Sequence, residues 1–219
     1  MSHDFTYHCF RISKDQESLA EAARSYRQLR LKALRTSPES FSSTYESEAA
    51  LTEADWIARL AEPGKQMFAC VAIPVGATNL MSEDAGGQPL ANERMQGEWV
   101  GHVVIRGPIS RSDFMLPEAT GQPLPASDED EERWQTLGLF VLPQHQGRGL
   151  ASRLCEAAIS YLRARWEPPS PSTTASSILL RLMVKPNNTA AVRLYKKLGL
   201  EIHADGKQPS NDILQKLEA

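Results

Sequence analysis

Apolar residues recur along the first part of the chain at the spacing of one helix face. Between residues 16 and 35 this spacing predicts an amphipathic helix whose buried stripe is Leu19, Ala22, Ala23, Tyr26, Leu29, Ala33 and Leu34. Ser13 and Gln16 have the spacing of a capping box at its start. The basic residues fall mostly off the stripe, which is typical of a solvated face: Arg24, Arg27, Arg30, Lys32 and Arg35.

Short apolar runs between such helices predict the strands of a sheet. We expect strands at 8–12, 66–75, 97–106, 133–142 and 178–184, followed by a closing hairpin of 202–204 and 213–217. Further helices are expected at 52–60, with Thr52 as N-cap, at 149–166, and after Asn187, which suits an N-cap. Helices and strands that alternate in this way predict an α/β fold.

Two segments interrupt this pattern. Residues 76–96 are rich in Gly, Asn, Ser and acidic residues, and residues 107–132 carry four prolines and an acidic run at 128–132. We interpret both as inserted loops, and the second as a disordered or solvated loop in preference to a lid. A chain of 219 residues is then a single domain, 1–219, that carries two insertions.

Composition argues against several classes of protein. The net charge is -3, so no basic excess favours a nucleic-acid partner. No apolar run approaches the roughly 18 residues that span a membrane, and none follows Met1 as a signal region would. Cys9, Cys70 and Cys155 are scattered, which gives no zinc spacing and suits a reducing compartment. We therefore expect a cytoplasmic protein without a bound metal.

A glycine-rich turn, residues 146–151, joins the strand at 133–142 to the helix that follows it. Its sequence is Gln146-Gly147-Arg148-Gly149-Leu150-Ala151. Helix N-termini offer unpaired N–H groups and a positive dipole end, and glycines let an anion approach the backbone, so a diphosphate is the predicted ligand. A P-loop is excluded because no Gly-Lys-Ser/Thr occurs, and a dinucleotide fingerprint lacks its third glycine because residue 152 is Ser.

The turn resembles a known signature. The pattern Gln-x-x-Gly-x-Ala after an apolar strand is similar to the acyl-CoA-binding motif of the GCN5-related N-acetyltransferase (GNAT) family. Downstream of the strand at 178–184, Asn188, Ala191, Tyr195, Gly199 and Leu200 resemble the same family's closing block, in which Phe often replaces the last residue. Both blocks occur in the family's order.

The resemblance implies a fold and a co-substrate. The fold would be a mixed, mostly antiparallel central sheet with a V-shaped splay, flanked by helices. Acetyl-CoA would be the co-substrate, and the thiolate would be protonated by Tyr195, which lies two helical turns from Asn188. An oxyanion would meet a main-chain N–H near Val141. The implied co-substrate contacts are Leu139, Phe140, Val141, Gln146, Gly147, Arg148, Gly149, Leu150, Ala151, Asn188 and Tyr195, with Arg153 also able to reach a phosphate.

A general base is less evident, because the central strand carries no acid near 137–141. Glu98 and His102, which share one face of the strand at 97–106, are candidates, and so are Glu46 and Glu48. A base acting through water, or an amine that binds neutral, would need no such residue. In relatives the loop after the first helix overhangs the acceptor, and here it supplies the candidate substrate contacts Phe41, Tyr45 and Glu46.

The resemblance implies N-acetyl transfer to the primary amine of a small molecule, by direct attack in a ternary complex. We prefer a small acceptor because neither insertion has a strong charge pattern for a protein tail. Acetylation of peptide or protein N-termini or lysines stays open, as does a non-catalytic acyl-CoA-binding module, which retention of Tyr195 argues against. An exposed C-terminal strand can pair between chains, so a homodimer also stays open.

Overall fold

The structure, a computed structural model, describes most of the chain. The described residues are 5–75, 97–116, 123–165, 177–184, 188–203 and 211–218, and for 202–203 and 211–218 the main chain alone is described. The first insertion, 76–96, and Asn187 lie outside the described residues.

Strands and helices follow one another much as the hydrophobic pattern predicts. The strands are β1 (Phe5–Arg11), β2 (Lys65–Pro74), β3 (Glu98–Arg106), β4 (Glu131–Val141), β5 (Ser177–Val184), β6 (Glu201–His203) and β7 (Asn211–Glu218). The helices are α1 (Gln16–Thr36), α2 (Tyr45–Ala49), α3 (Glu53–Ala61), α4 (Arg111–Phe114), α5 (Leu150–Arg165) and α6 (Thr189–Lys197), with short 3-10 turns at Pro38–Ser40 and Pro143–His145.

The strands form a mixed, mostly antiparallel sheet, which confirms the predicted fold class. Hydrogen-bonded neighbours follow the order β1-β2-β3-β4-β5-β7-β6. β1 pairs with β2, β5 with β7, and β6 with β7 in antiparallel fashion, whereas β4 and β5 run parallel. The ladder between β4 and β5 joins residues 131–135 to 177–181, although both strands continue beyond it. Pairing therefore stops part-way along these central strands, as a splayed sheet requires.

The chain divides into two compact units. Unit 1 comprises Met1–Val103 and Leu139–Ala157, and unit 2 comprises Val104–Gly138 and Ala158–Ala219. The single domain predicted from the sequence stays a prediction.

Helix α1 forms much of the core of unit 1. All seven residues of its predicted stripe are buried. In the core the ring of Tyr26 packs edge-on against Trp56 of α3, with 5.7 Å between ring centroids. The predicted capping box is wrong, because the N-cap is Asp15 and its side chain makes no capping hydrogen bond. The hydroxyl of Ser13 donates to the Asp15 carboxylate, which leaves Gln16 without the predicted role.

A short helix that the pattern did not predict follows α1. The sequence predicts a loop after the first helix, but α2 begins at Tyr45 after a capping box of Thr44 and Ser47. The predicted N-cap Thr52 is confirmed, since its side chain accepts from the N–H of Asp55. Helix α2 was missed because five residues are too few to show helical periodicity.

The second insertion is better ordered in its described parts than its composition suggests. In unit 2, Phe114 of α4 is 1% exposed, and Arg181 of β5 stacks over its ring at 3.8 Å. Arg133, also 1% exposed, donates to the Asp128 carboxylate at 2.8 Å and to the main-chain oxygens of Ala126 and Glu131. A buried guanidinium needs such partners. The expectation of disorder is therefore wrong for these residues, and the acidic run balances a buried arginine.

Candidate active site

The glycine turn (residues 146–151) has the backbone conformation that only glycine adopts freely. After Val141 the chain makes the 3-10 turn Pro143–His145, and Gly147 and Gly149 then have φ of 74° and 75°. Any other L-residue would be strained there by its Cβ. The glycines are therefore required by the path of the backbone.

The turn also leaves room beside its backbone. A Cβ placed on Gly147 or Gly149 would meet no heavy atom within 4 Å. The hydrogen bond from the N–H of Arg153 to the oxygen of Gly149 opens the ladder of α5, so the N–H groups of Leu150, Ala151 and Ser152 precede any intrahelical acceptor. An open space faced by the positive end of a helix is suited to a phosphate.

Gln146 attaches the turn to the end of β4. Its side-chain amide donates to the main-chain oxygen of Val141 at 2.9 Å, and its own N–H donates to Pro143 at 3.2 Å. The sequence assigned Gln146 to phosphate binding, whereas here its donors hold the turn against the strand. The N–H groups available to an anion are those that follow it.

The first strand lines the turn with residues that the sequence analysis did not select. The hydroxyl of Tyr7 lies 3.0 Å from Nδ1 of His145, and the guanidinium of Arg148 lies 5.8 Å from the centre of the Tyr7 ring. Arg153 donates to the main-chain oxygen of Tyr7 at 2.8 Å. Burial lowers the pKa of His145, so its ring is neutral at neutral pH. Arg148 is exposed and reachable by a ligand.

Residues 139–141, predicted to act through their main chain, lie beside β3. The N–H of Leu142 donates to the oxygen of Val100 at 2.8 Å. Because peptide groups alternate along a strand, Val141 and Leu139 direct theirs away from β3. A Cβ on Gly101 would lie 3.0 Å from the oxygen of Phe140, so the glycine permits this close approach.

Of the predicted acceptor contacts, Phe41 reaches the central strand. The centroid of its ring lies 5.2 Å from that of the Phe140 ring. The guanidinium of Arg30 lies over the Phe41 ring, 4.1 Å from the ring centre. Tyr45 instead carries Arg35 over its ring and accepts a hydrogen bond from it. Glu46 is exposed on α2.

A buried ion-pair group, here termed the arginine cluster, consists of Arg30, Glu48 and Arg59. Glu48 is 3% exposed and receives Arg30 through Nε at 3.0 Å and through NH2 at 2.9 Å. Arg59 lies 3.2 Å from the Glu48 oxygen that also accepts from Nε of Arg30. The hydroxyl of Ser43 donates to the second oxygen of the same carboxylate. Burial alone would raise the pKa of Glu48, but the hydrogen bonds and the two positive charges outweigh it and lower the pKa. Glu48 therefore stays ionised.

The two candidate bases lie in contrasting environments. Glu98 is exposed and forms an ion pair with Lys32. His102 is 2% exposed and packs edge-on against Tyr26 at 5.4 Å between centroids. Among the described residues, its Nδ1 has no hydrogen-bond partner. Burial lowers the pKa of His102 to about 3, with a further contribution from the charge of Arg30. Its ring is therefore neutral at neutral pH.

The remaining predicted residues belong to unit 2. Asn188 is exposed and is the N-cap of α6, where its side-chain oxygen accepts from the N–H of Ala191 at 3.1 Å. This corrects the N-cap predicted at Asn187 and leaves the amide NH2 of Asn188 outside the cap. Tyr195 is buried within the same helix.

The described ranges contain neither a candidate metal site nor a candidate membrane span. No group of three or more His, Cys, Asp or Glu side chains there could hold a metal ion. No helix in the same ranges is long and apolar enough to cross a membrane.

Comparisons with known proteins agree with this geometry. The model of the Acetyltransferase (GNAT) family matches residues 39–200. The GNAT domain of PAT from S. lividans is 15% identical, with a TM-score of 0.51 over 98% of this chain and 97% of that one. An acetyltransferase of the GNAT family from Streptococcus pneumoniae is 16% identical, with a TM-score of 0.51 over 98% and 100%.

At identities this low, the two solved structures show a similarity of fold alone. A search of curated proteins found no match. The family model, however, spans more than half of the chain, and it contains both the glycine turn and the closing block. The chain therefore belongs to the GNAT acetyltransferase family.

Proposed function

We propose that this protein transfers the acetyl group of acetyl-CoA to the primary amine of a small molecule, by direct attack in a ternary complex. The observation that carries the proposal is the glycine turn, in which open space beside Gly147 and Gly149 faces the first N–H groups of α5. That arrangement fits a diphosphate, the charged group of coenzyme A.

The residues of unit 1 bind and orient the co-substrate in this proposal. The N–H groups of Leu150 and Ala151 donate to the diphosphate, and the exposed Arg148 neutralises part of its charge. The main chain of Leu139 and Val141, directed away from β3, pairs with the amides of the pantetheine arm. Acetyl-CoA supplies the activated thioester.

Two groups then stabilise the charges of the reaction. The N–H of Val141 donates to the carbonyl oxygen as it gains charge, and a donor of this kind is worth about 3 kcal/mol. In unit 2, Asn188 donates its free amide hydrogens to the carrier, and the hydroxyl of Tyr195 gives a proton to the departing thiolate. A phenol of ordinary pKa, about 10, is protonated at neutral pH and can do so.

Glu98 is the stronger candidate to receive the proton of the amine. His102 is 2% exposed, so an acceptor amine cannot reach its ring, and burial lowers its pKa to about 3, far below that of a free imidazole. Glu98 is exposed on the same face of β3, and Lys32 is its ion-pair partner. Separate Glu98→Gln and His102→Gln variants are expected to differ, with the first alone changing the dependence of kcat/KM on pH.

Calorimetry and turnover together test the proposal. We expect heat on titration with coenzyme A, and release of the free thiol from acetyl-CoA when small primary amines are added. Peptides with free N-termini or lysines in the same panel test the alternative acceptors. Binding without thiol release for any amine would favour a non-catalytic acyl-CoA-binding module. Absence of heat with coenzyme A would refute the proposal.

A further inference from the structure

Arg30 is held in a fixed orientation by three different contacts. Its Nε and NH2 atoms pair side-on with the Glu48 carboxylate at 3.0 and 2.9 Å, and NH2 also donates to Ser43 at 2.9 Å. Its guanidinium plane lies 4.1 Å from the centre of the Phe41 ring. Such a guanidinium is preorganised, because the entropy of fixing a long side chain is already lost on folding.

This pairing leaves one nitrogen of Arg30 without a protein partner. Among the described residues, nothing accepts a hydrogen bond from NH1, although 15% of the side chain is exposed. A guanidinium carries five N–H donors, of which Glu48 and Ser43 take the Nε donor and both NH2 donors. The free edge of Arg30 therefore consists of the two NH1 donors, which suit an oxygen of a carboxylate. The NH1 donors are thus fixed and unused, on a side chain that is 15% exposed.

The arginine cluster also carries more positive than negative charge. Arg30 and Arg59 share the single carboxylate of Glu48, whose oxygens are both engaged. Asp55 lies near Arg59 as well, but it is exposed and its carboxylate accepts from Thr52 at the start of α3. Solvent screens the charges of Asp55 and of the 39% exposed side chain of Arg59 alike. The cation of the cluster that can pair with an added anion is therefore Arg30, whose side chain is 15% exposed.

Arg30 and the strand at which the amine would react both contact the ring of Phe41. Phe41 connects the two, since its ring is 4.1 Å from the guanidinium of Arg30 and 5.2 Å from the ring of Phe140. Arg30 and Phe140 are therefore separated by a single aromatic ring, a separation that a compact acceptor can span.

We propose that the acceptor amine carries a carboxylate, as an amino acid does, and that Arg30 binds this carboxylate through its free NH1 edge. Arg30 is then a specificity-determining residue, Glu48 and Phe41 position it, and the acceptor belongs to the class of free amino acids. This inference rests on the acetyl transfer proposed above and names the substrate class of the same site.

Wild-type protein gives the first test. Thiol release is measured at saturating acetyl-CoA with a set of α-amino acids, each beside its carboxamide and its decarboxylated amine. A charge-assisted pair predicts kcat/KM about 30-fold higher for the acid than for its carboxamide. Equal values, a preference for the uncharged partners, or turnover of no amino acid by protein that binds coenzyme A would overturn the inference.

Arg30→Gln gives the second test, with Arg27→Gln as matched control because Arg27 is an exposed arginine of the same helix. We expect Arg30→Gln to bring the ratio of acid to carboxamide below about 3, with little change for the decarboxylated amine. Arg27→Gln should keep the wild-type ratio. An unchanged ratio in Arg30→Gln counts against the proposal.

Replacement of Arg30 also deprives the buried Glu48 of its main ion-pair partner and can destabilise the fold. Folding is therefore checked by thermal melting. If Arg30→Gln does not melt cooperatively, Arg30→Lys replaces it. Lysine cannot hold Glu48 side-on and a second carboxylate at once, so the ratio should still fall about fivefold. A wild-type ratio in Arg30→Lys would then refute the assignment.

Coenzyme A calorimetry on the same preparations separates the two proposals. No heat refutes acetyl transfer itself. Heat and turnover of amines, with no preference for acids over carboxamides, refute the acceptor class alone.

Discussion

The glycine turn and the arginine cluster, both in unit 1, are built from different chemical groups. The turn offers main-chain N–H groups at the start of one helix, and its glycines contribute by having no side chain. The cluster offers side chains from three helices, α1, α2 and α3, fixed by buried contacts. Backbone groups recognise a phosphate whatever the neighbouring side chains are, so the turn suits a ligand common to a family.

The cluster can change without disturbing that shared function. Arg30, Glu48 and Arg59 are separated along the chain, and each can be replaced while the glycine turn keeps its backbone. Recognition of the acceptor can therefore diverge between relatives that bind the same co-substrate. The glycine turn and the arginine cluster are not independent if a change in either one alters the function assigned to the other.

The largest effect is expected for Glu48→Ala. Loss of this carboxylate leaves Arg30 buried without its partner, and the free energy of unfolding should fall by about 3 kcal/mol. Urea denaturation measures this loss. The matched control is Glu46→Ala, at an exposed position of the same helix, whose free energy of unfolding should stay within about 0.5 kcal/mol of that of wild type. Below its melting temperature, Glu48→Ala should bind coenzyme A normally. Weaker binding would show that the two regions are coupled.

Gly149→Ala should have the converse effect. Its φ of 75° is strained for alanine by about 1–2 kcal/mol, and the added methyl enters the space left for a phosphate. Together these should weaken coenzyme A binding about 100-fold in calorimetry, or about 2.7 kcal/mol. Gly64→Ala is the matched control, because Gly64 has φ of 74° in the turn between α3 and β2. Equal losses in both variants would indicate strain alone.

A smaller effect is expected in the pH dependence of the free energy of unfolding, which the glycine turn should not influence. The ordinary pKa of His102, 6.5, falls to about 3 in the folded protein, so the unfolded chain alone takes up a proton between these values. The free energy of unfolding should decrease as pH falls through this window, by up to about 1.4 kcal/mol per pH unit. His102→Phe should reduce this slope between pH 6.5 and 4.5, and the remainder is expected from His145, whose pKa is also lowered by burial.

At each pH of this window, His102→Phe and wild type are expected to bind coenzyme A with equal affinity, since the donors of the glycine turn are main-chain groups. If His102→Phe keeps the full slope of unfolding free energy, the acid sensitivity arises elsewhere in the chain.

The sequence predicted those parts of the fold that repeat along a helix or strand. The buried stripe of α1 was predicted residue by residue, because a helix with one apolar face leaves a strong period. The acidic run before Arg133 was misread, because its partner is a buried side chain that composition does not reveal. Helix α2 was missed because it is short, and the N-cap at Asp15 was missed because Ser13, two residues earlier, is an equally good N-cap residue by type.

The same distinction applies to the site. The glycine turn was predictable because all its residues are contiguous, and Gly147 and Gly149 have the backbone expected of them. The arginine cluster was not, since Arg30 was assigned with its basic neighbours to a solvated face. Nothing local distinguishes Arg30 from the exposed Arg27. Only the folded chain brings Glu48, from a helix that was itself missed, against one of them.

The borders of the two units fall inside regular elements. They cut β3 between Val103 and Val104, β4 between Gly138 and Leu139, and α5 between Ala157 and Ala158. Recombination between homologous genes tends to succeed where crossovers fall in loops. A chimera that exchanged one unit for that of a relative would need three crossovers within elements instead. Unit 1 and unit 2 should thus be inherited together, and new acceptor preferences should arise by point substitution.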